Sequence, residues 1–305
     1  KPNGETEDLF LDAGKNLATG VIVTYYLQQQ PEGEITLSFL DAQGNEMRTF
    51  SSEEQPEQAD IPKAASAPQE VKKDKKEPRV PKEAGANRFI WDLHLPDAVK
   101  IDGYVGPESI LSGAVVPPGA YQVQLKVGEQ VYTQAFDVAK DPRVPATQAD
   151  LEAQFDLRRK IWDKLSQTHS AINLLRDLRQ QIEGWQQRTQ GRKEHETIDK
   201  LSWSLLEHLT AIEDELVQSK ARSRQDTLNF PAKLNAKLAA LSGVVASADA
   251  VPTRQEYELF EGLAARIDVQ LQRLQELLGS DVAAFNNLIR ELELPALIPT
   301  SIKVL

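Results

Sequence analysis

The chain has 305 residues, 27% of them charged and 40% hydrophobic, with no cysteine and a formal net charge of −11 at pH 7. That length suits about two domains that bury their own cores, and the missing cysteine excludes disulfide frameworks and thiolate chemistry. Lys and Arg number 14 against 23 Asp and Glu over residues 1–142, and 21 against 23 beyond, so the acidic surplus sits in the first part and argues against nucleic acid as a partner.

The opening, Lys1-Pro-Asn-Gly-Glu-Thr-Glu-Asp8, is polar and lacks an initiator Met. Residues 1–19 are therefore expected to be a linker of a fragment or processed product. No apolar run approaches the ~20 residues of a membrane helix, and no signal-peptide pattern is present.

From Gly20 the apolar residues alternate. Val21–Leu27 and Glu34–Leu40 are rich in β-branched and aromatic side chains and predict a hairpin-like pair of strands across Gln28–Gly33. Asp41-Ala-Gln-Gly-Asn45 supplies turn chemistry before the strand Met47–Phe50; as a calcium loop its oxygen ligands are too few and too close together. Ser51 to about Ala86 has hardly an apolar residue and is expected to be a solvated insertion outside the core. Its Lys72–Lys76 cluster is interrupted by Asp74 and flanked by Glu70 and Glu77, which favours a tether over an anion-binding surface. Asn87–Leu93 puts Phe89, Trp91 and Leu93 on one strand face, with Trp91 either a core anchor or, exposed, a sugar-stacking ring. Pro96–Pro118 is irregular and rich in Gly and Pro, a length of loop that often carries function. Tyr121–Val127 and Val131–Val138 then answer each other across Gly128-Glu129. Six short strands over residues 20–142 predict an antiparallel Ig-like β-sandwich.

After the proline-bearing stretch Phe136–Thr147 the period changes to three or four, which predicts an α-helical bundle over residues 143–293. Thr147 is the expected N-cap, with Asp150 in the first turn. The stripe Leu151, Phe155, Ile161 or Trp162, Leu165, Ile172, Leu175, Leu178 and Ile182 runs until Gly184 and a polar stretch end the helix. A second helix carries Ile198, Leu205, Leu209 and Leu216; a third follows Pro231 with Leu234, Leu238, Leu241 and Val245. A fourth follows Pro252-Thr253, a short fifth starts at Asp281, and residues 294–305 form an apolar tail. The whole is a multidomain α and β protein, an antiparallel sandwich followed by an antiparallel bundle.

The chain carries no Gly-x-Ser-x-Gly elbow, phosphate loop, dinucleotide fingerprint or His-Glu-x-x-His pattern. His169 lies on the apolar side of the first helix and reads as a packed, hydrogen-bonded histidine rather than a ligand. His195 and Asp199 make an i, i+4 pair with no third ligand nearby, and His94 and His208 have no nucleophile beside them in sequence. The interaction candidates are Trp91 together with Arg222, Arg224 and Asp226, whose guanidinium pair could clamp an anion or a partner carboxylate. No catalytic residue, cofactor or metal is expected.

Several stretches in order resemble the C-terminal region of large bacterial proteins whose N-terminal part is a sortilin-like, BNR-repeat β-propeller, often labelled glycosyl hydrolases or sialidases. They are Val23–Leu27, Asn87–Leu93, Val116–Val123, Lys140–Val144, Ser223–Asp226 with Asn229–Pro231, and Leu238–Gly243. The Pro-Gly-x-Tyr approach to a strand is also similar to the Ig-like module of flagellar hook-capping proteins. The resemblance implies an exported bacterial parent, in the periplasm, at the cell surface or secreted, with this chain as its non-propeller end. It also implies that any hydrolase site lies on the propeller. The expected role is a non-catalytic module that supports the propeller or mediates assembly, with the propeller or another protein as partner. The alternatives are part of a glycoside hydrolase and a polysaccharide-binding sandwich.

Overall fold

A computed structural model describes residues 18–53, 77–103, 112–220, 226 and 228–294. The protein mixes α-helices with two small antiparallel sheets. Its contacts fall into two compact units that interleave in sequence. One draws on the described residues of Lys1–Gln55, Lys72–His94 and Tyr121–Phe136, the other on those of Leu95–Ala120 and Asp137–Leu305.

In the strand unit, β1 (Val21–Leu27) pairs with β4 (Gly85–Trp91), in a register running from Val21 opposite Trp91 to Leu27 opposite Gly85. The other sheet has the order β3-β2-β5-β6, made of Glu46–Ser51, Ile35–Asp41, Gly119–Val127 and Gln130–Val138. The strands predicted by alternation are present, but the predicted β1–β2 hairpin is not: the two lie in different sheets. A two-residue turn would pin neighbouring strands together; the seven-residue connection Gln28–Glu34, with Pro31 inside it, exerts no such constraint. Long-range side-chain pairing decides instead, setting Val23 opposite Phe89 and Val21 opposite Trp91.

The rings that alternation places inward meet each other. Trp91, fully buried, stacks on Phe39 with centroids 4.4 Å apart, and Phe50 lies 4.8 Å from Phe89. Tyr121 meets the edge of Trp91 and stacks on Phe136. Gly20 is fixed by this packing, because its φ is +122° and a Cβ there would lie 2.0 Å from the Trp91 carbonyl oxygen. The Asp41 carboxylate accepts from the amides of Gln43 and Asn45, the turn read from sequence. Residues 54–76 of the polar insertion lie outside the described residues. Its end departs from the expectation of a wholly solvated segment: Val80 is buried and its amide donates to the Ser51 carbonyl, while the Tyr25 hydroxyl donates to the Pro81 carbonyl. One apolar side chain suffices to anchor the returning chain, and burial pushes the Tyr25 phenol up to about 12.

The helical unit is built on α1 (Gln148–Thr189), followed by α2 (His195–Leu216), α3 (Leu234–Val245) and α4 (Arg254–Leu277). Capping boxes open α1, through Thr147 and Asp150, and α4, through Thr253 and Glu256. Helix α1 passes through Gly184 and ends at Thr189, inside the polar stretch expected to end it. Arg188 stacks over Trp185 at 4.0 Å and donates to the Gly184 carbonyl, and Thr189 is buried, so local contacts outweigh the roughly 1 kcal/mol glycine penalty. A π-helical turn, Leu278–Val282, carries α4 into α5 (Ala283–Glu291) without the expected break. Ile161, Ile172, Leu175, Leu205, Leu209, Leu238 and Ile267 share one core. Glu213 on α2, itself buried, accepts from Arg176 and Arg179 on α1 at 2.9 Å each. Among the described residues, no helix is long and apolar enough to cross a membrane.

Two fully buried polar side chains in this core, Ser202 and Asn235, lack hydrogen-bond partners among the described residues. Deleting the Ser202 hydroxyl removes a desolvated group that returns nothing, so Ser202→Ala is expected to leave the urea midpoint unchanged or raise it. Leu209→Ala, from the same fully buried face of α2, is expected to cost about 2–5 kcal/mol in the same titration.

Candidate functional site

The densest set of polar side chains with a common target lies on one face of α1. Ser166, His169, Asn173 and Arg176 are spaced three, four and three residues apart, which places them in a row along a helix. Beside them runs the segment Val99–Asp102, irregular and ending in a turn. Its Val99 amide donates to Ser166 Oγ at 3.4 Å, and its Val99 carbonyl takes a 2.5 Å bond from His169 Nδ1. Asn173 clasps the next two peptides, donating to the Lys100 carbonyl at 2.8 Å and accepting from the Asp102 amide at 3.1 Å. Arg176 completes the row with a 2.9 Å bond to the Asp102 carbonyl. Every one of these bonds reads main chain, while Ala98 and Ile101 are buried in the helical core. The arrangement is a device for holding an irregular stretch of main chain against a helix.

His169 is the one titratable group of this row sunk in the interior, at 2% exposure. A carbonyl can only accept, so Nδ1 carries the proton and Nε2 is the bare nitrogen, buried with no hydrogen-bond partner among the described residues. Desolvation holds its pKa below the ordinary 6.5, opposed in part by the Val99 bond, which favours the charged ring.

The strand unit carries a second polar cluster just past the end of β4. The buried Arg48 guanidinium donates to Glu77 at 2.9 Å and to the His94 carbonyl at 3.2 Å, and lies 4.7 Å from the Phe50 ring centroid. Trp91 Nε1 donates to that same carbonyl at 3.0 Å. Between them Leu93 has φ +66°, a left-handed conformation costing about 1–3 kcal/mol in a non-glycine residue. It is held by the His94 amide on the Asp92 carboxylate and the His94 ring on the Asp92 carbonyl.

Of the residues singled out in the sequence, Trp91 is fully buried, which leaves neither face of its ring open to a sugar. Arg222 and Arg224 lie outside the described residues. The Asp226 carbonyl accepts from the amides of Asn229 and Phe230. His195 and Asp199 are not joined: Asp199 accepts from Gln186 and Trp203, and the His195 ring meets Thr189. His208 instead pairs with Asp281 at 2.9 Å. Among the described residues, no group of three or more His, Asp or Glu side chains could hold a metal ion. Sequence reasoning singled out His169 but missed Ser166, Asn173 and Arg176; the available signal was hydrogen-bonding side chains recurring at three and four residues beside an apolar stripe. No family model, no curated protein and no solved structure matches this chain.

The depressed His169 pKa has a definite sign. The unfolded chain protonates first as pH falls through 6.5, so the stability present above that pH is eroded below it. Urea midpoints of the helical unit are expected to drop between pH 7.5 and pH 5, with the part due to His169 absent in His169→Gln. For the clasp, Asn173→Ala is expected to speed tryptic cleavage after Lys100 several-fold at unchanged helix content, because both peptide bonds it holds are released.

Proposed function

We propose that this chain is a non-catalytic structural and interaction module, an Ig-like β-sandwich joined to an antiparallel helical bundle. It supports a β-propeller or mediates assembly in an exported bacterial protein. The observation that carries this reading is where the reactive side chains are engaged. His169 holds the Val99 carbonyl, Arg48 holds Glu77 and the His94 carbonyl, and Arg176 and Arg179 hold Glu213. These groups act on the chain's own backbone and helices, as befits a body whose rigidity is its contribution.

The sandwich reading is supported by two antiparallel sheets of order β1-β4 and β3-β2-β5-β6, and by the Trp91–Phe39 stack that joins one to the other. The bundle reading is supported by four helices of 12 to 42 residues sharing one apolar core. The propeller partner and the exported location rest on the sequence resemblance. Co-expression tests the reading: reading-frame sequence upstream of Lys1 is expected to encode four-stranded repeats, and that segment to co-purify with this chain. Turnover of sialylated or aryl glycosides by this chain alone would overturn it.

A further inference from the structure

The four-stranded sheet ends in two edges of different character. At β3 the edge carries Glu46 and Arg48, the β2–β3 register shifts between Phe39 and Leu40, and the Ser51 carbonyl is bonded by the Val80 amide. Charges, bulges and a covering segment are the devices by which sheet edges avoid pairing with other chains. At β6, among the described residues, no bulge or covering segment is found, and the charge is confined to Asp137, next to the strand's last residue. Gln130-Val-Tyr-Thr-Gln-Ala-Phe136 is seven residues without a charge, a proline or a glycine, in a part of the chain with 23 acidic and 14 basic residues. Residues 130–135 are exposed at every position, so neither face of the strand is covered there, and Val131 and Tyr132 are 53% and 57% exposed.

We propose that β6 is an interaction edge and that its occupant is the β6 strand of a second copy of this chain, added antiparallel to make one continuous eight-stranded sheet across a two-fold axis. Charge selects this occupant. An acidic body repels its own copy wherever carboxylates face each other, and residues 130–136 of β6 are an uncharged strip on which two copies meet without opposing like charges, Asp137 of each copy falling opposite Val131 of the other. The geometry is self-complementary. A two-fold axis normal to the sheet keeps each face on its own side, so opposed residues must have the same parity. Phe136 stacks on buried Tyr121, which assigns the even positions to the inner face. Centred on Gln134, the pairing sets Tyr132 of each copy opposite Phe136 of the other, an aromatic pair repeated on both sides of the axis. It sets Thr133 opposite Ala135 on the outer face and Gln134 opposite itself.

The test uses the full chain. Sedimentation equilibrium is expected to find a dimer in the wild type, and Gln134→Lys, which places two ammonium groups at the axis, is expected to raise its dissociation constant at least about tenfold. The thermal midpoint and circular dichroism of the variant establish that it folds. Because the chain has no cysteine, Gln134→Cys gives a second readout independent of that variant's fate. Mild oxidation is expected to yield a disulfide-linked dimer, and Thr24→Cys on the exposed face of β1 is not. A monomeric wild type, a dimer indifferent to Gln134→Lys, or equal cross-linking of the two cysteine variants would overturn the proposal.

Discussion

An amphipathic helix 42 residues long cannot bury its apolar stripe by itself, and the helical unit is the solution to that constraint. Helices α2, α3 and α4 all lie against α1, and the Val99–Asp102 segment covers a further strip. Magnitudes separate what holds this segment from what aligns it. Burying Ile101 is worth about 1.5–3 kcal/mol, whereas each hydrogen bond contributes a net ~1 kcal/mol or less when stretched. The apolar insertion drives docking, and the polar row fixes which peptide lies over which turn. Glu213 plays the same aligning part between α1 and α2: a buried carboxylate satisfied by two guanidiniums adds little net stability but penalises any slippage that would leave it unpaired.

In the strand unit the corresponding centre is Trp91. Its ring joins the aromatic cluster while its indole nitrogen and the Arg48 guanidinium converge on one carbonyl, that of His94. Two donors on a single acceptor hold the chain in the turn that forces Leu93 into its left-handed conformation. Strain of this kind persists only where surrounding contacts over-determine it, and here those contacts are the core itself.

Much of this was legible in the sequence because the signals are local. Alternation found the strands, the three-to-four period found the helices, and Thr147 with Asp150 announced a cap that forms as read. Pairing was less legible, since β1 and β2 are neighbours in sequence and the assignment of β1 to its own sheet depends on partners 58 to 70 residues away. The junction of α4 and α5 was not legible, because the π turn that makes it continuous is marked by no composition. The clasp on α1 was half visible. His169 stood out as a polar residue on an apolar face, but the main chain it holds lies 70 residues away, and main-chain recognition leaves no signature in the residues recognised.

The interleaving of the two units has a consequence for biosynthesis. Residues 95–101 leave the ribosome after β4, but Arg176, which grips the last peptide of the strip, is made 74 residues later than its Asp102 target. At cellular rates of translation that delay is about 4–15 s. Strands β5 and β6 are synthesised within it and β1 to β4 before it, so the strand unit is complete while Ala98 and Ile101 still have no helix to dock on. The greasy strip stays uncovered over that interval, and no single cleavage can divide the finished polypeptide into two self-sufficient halves.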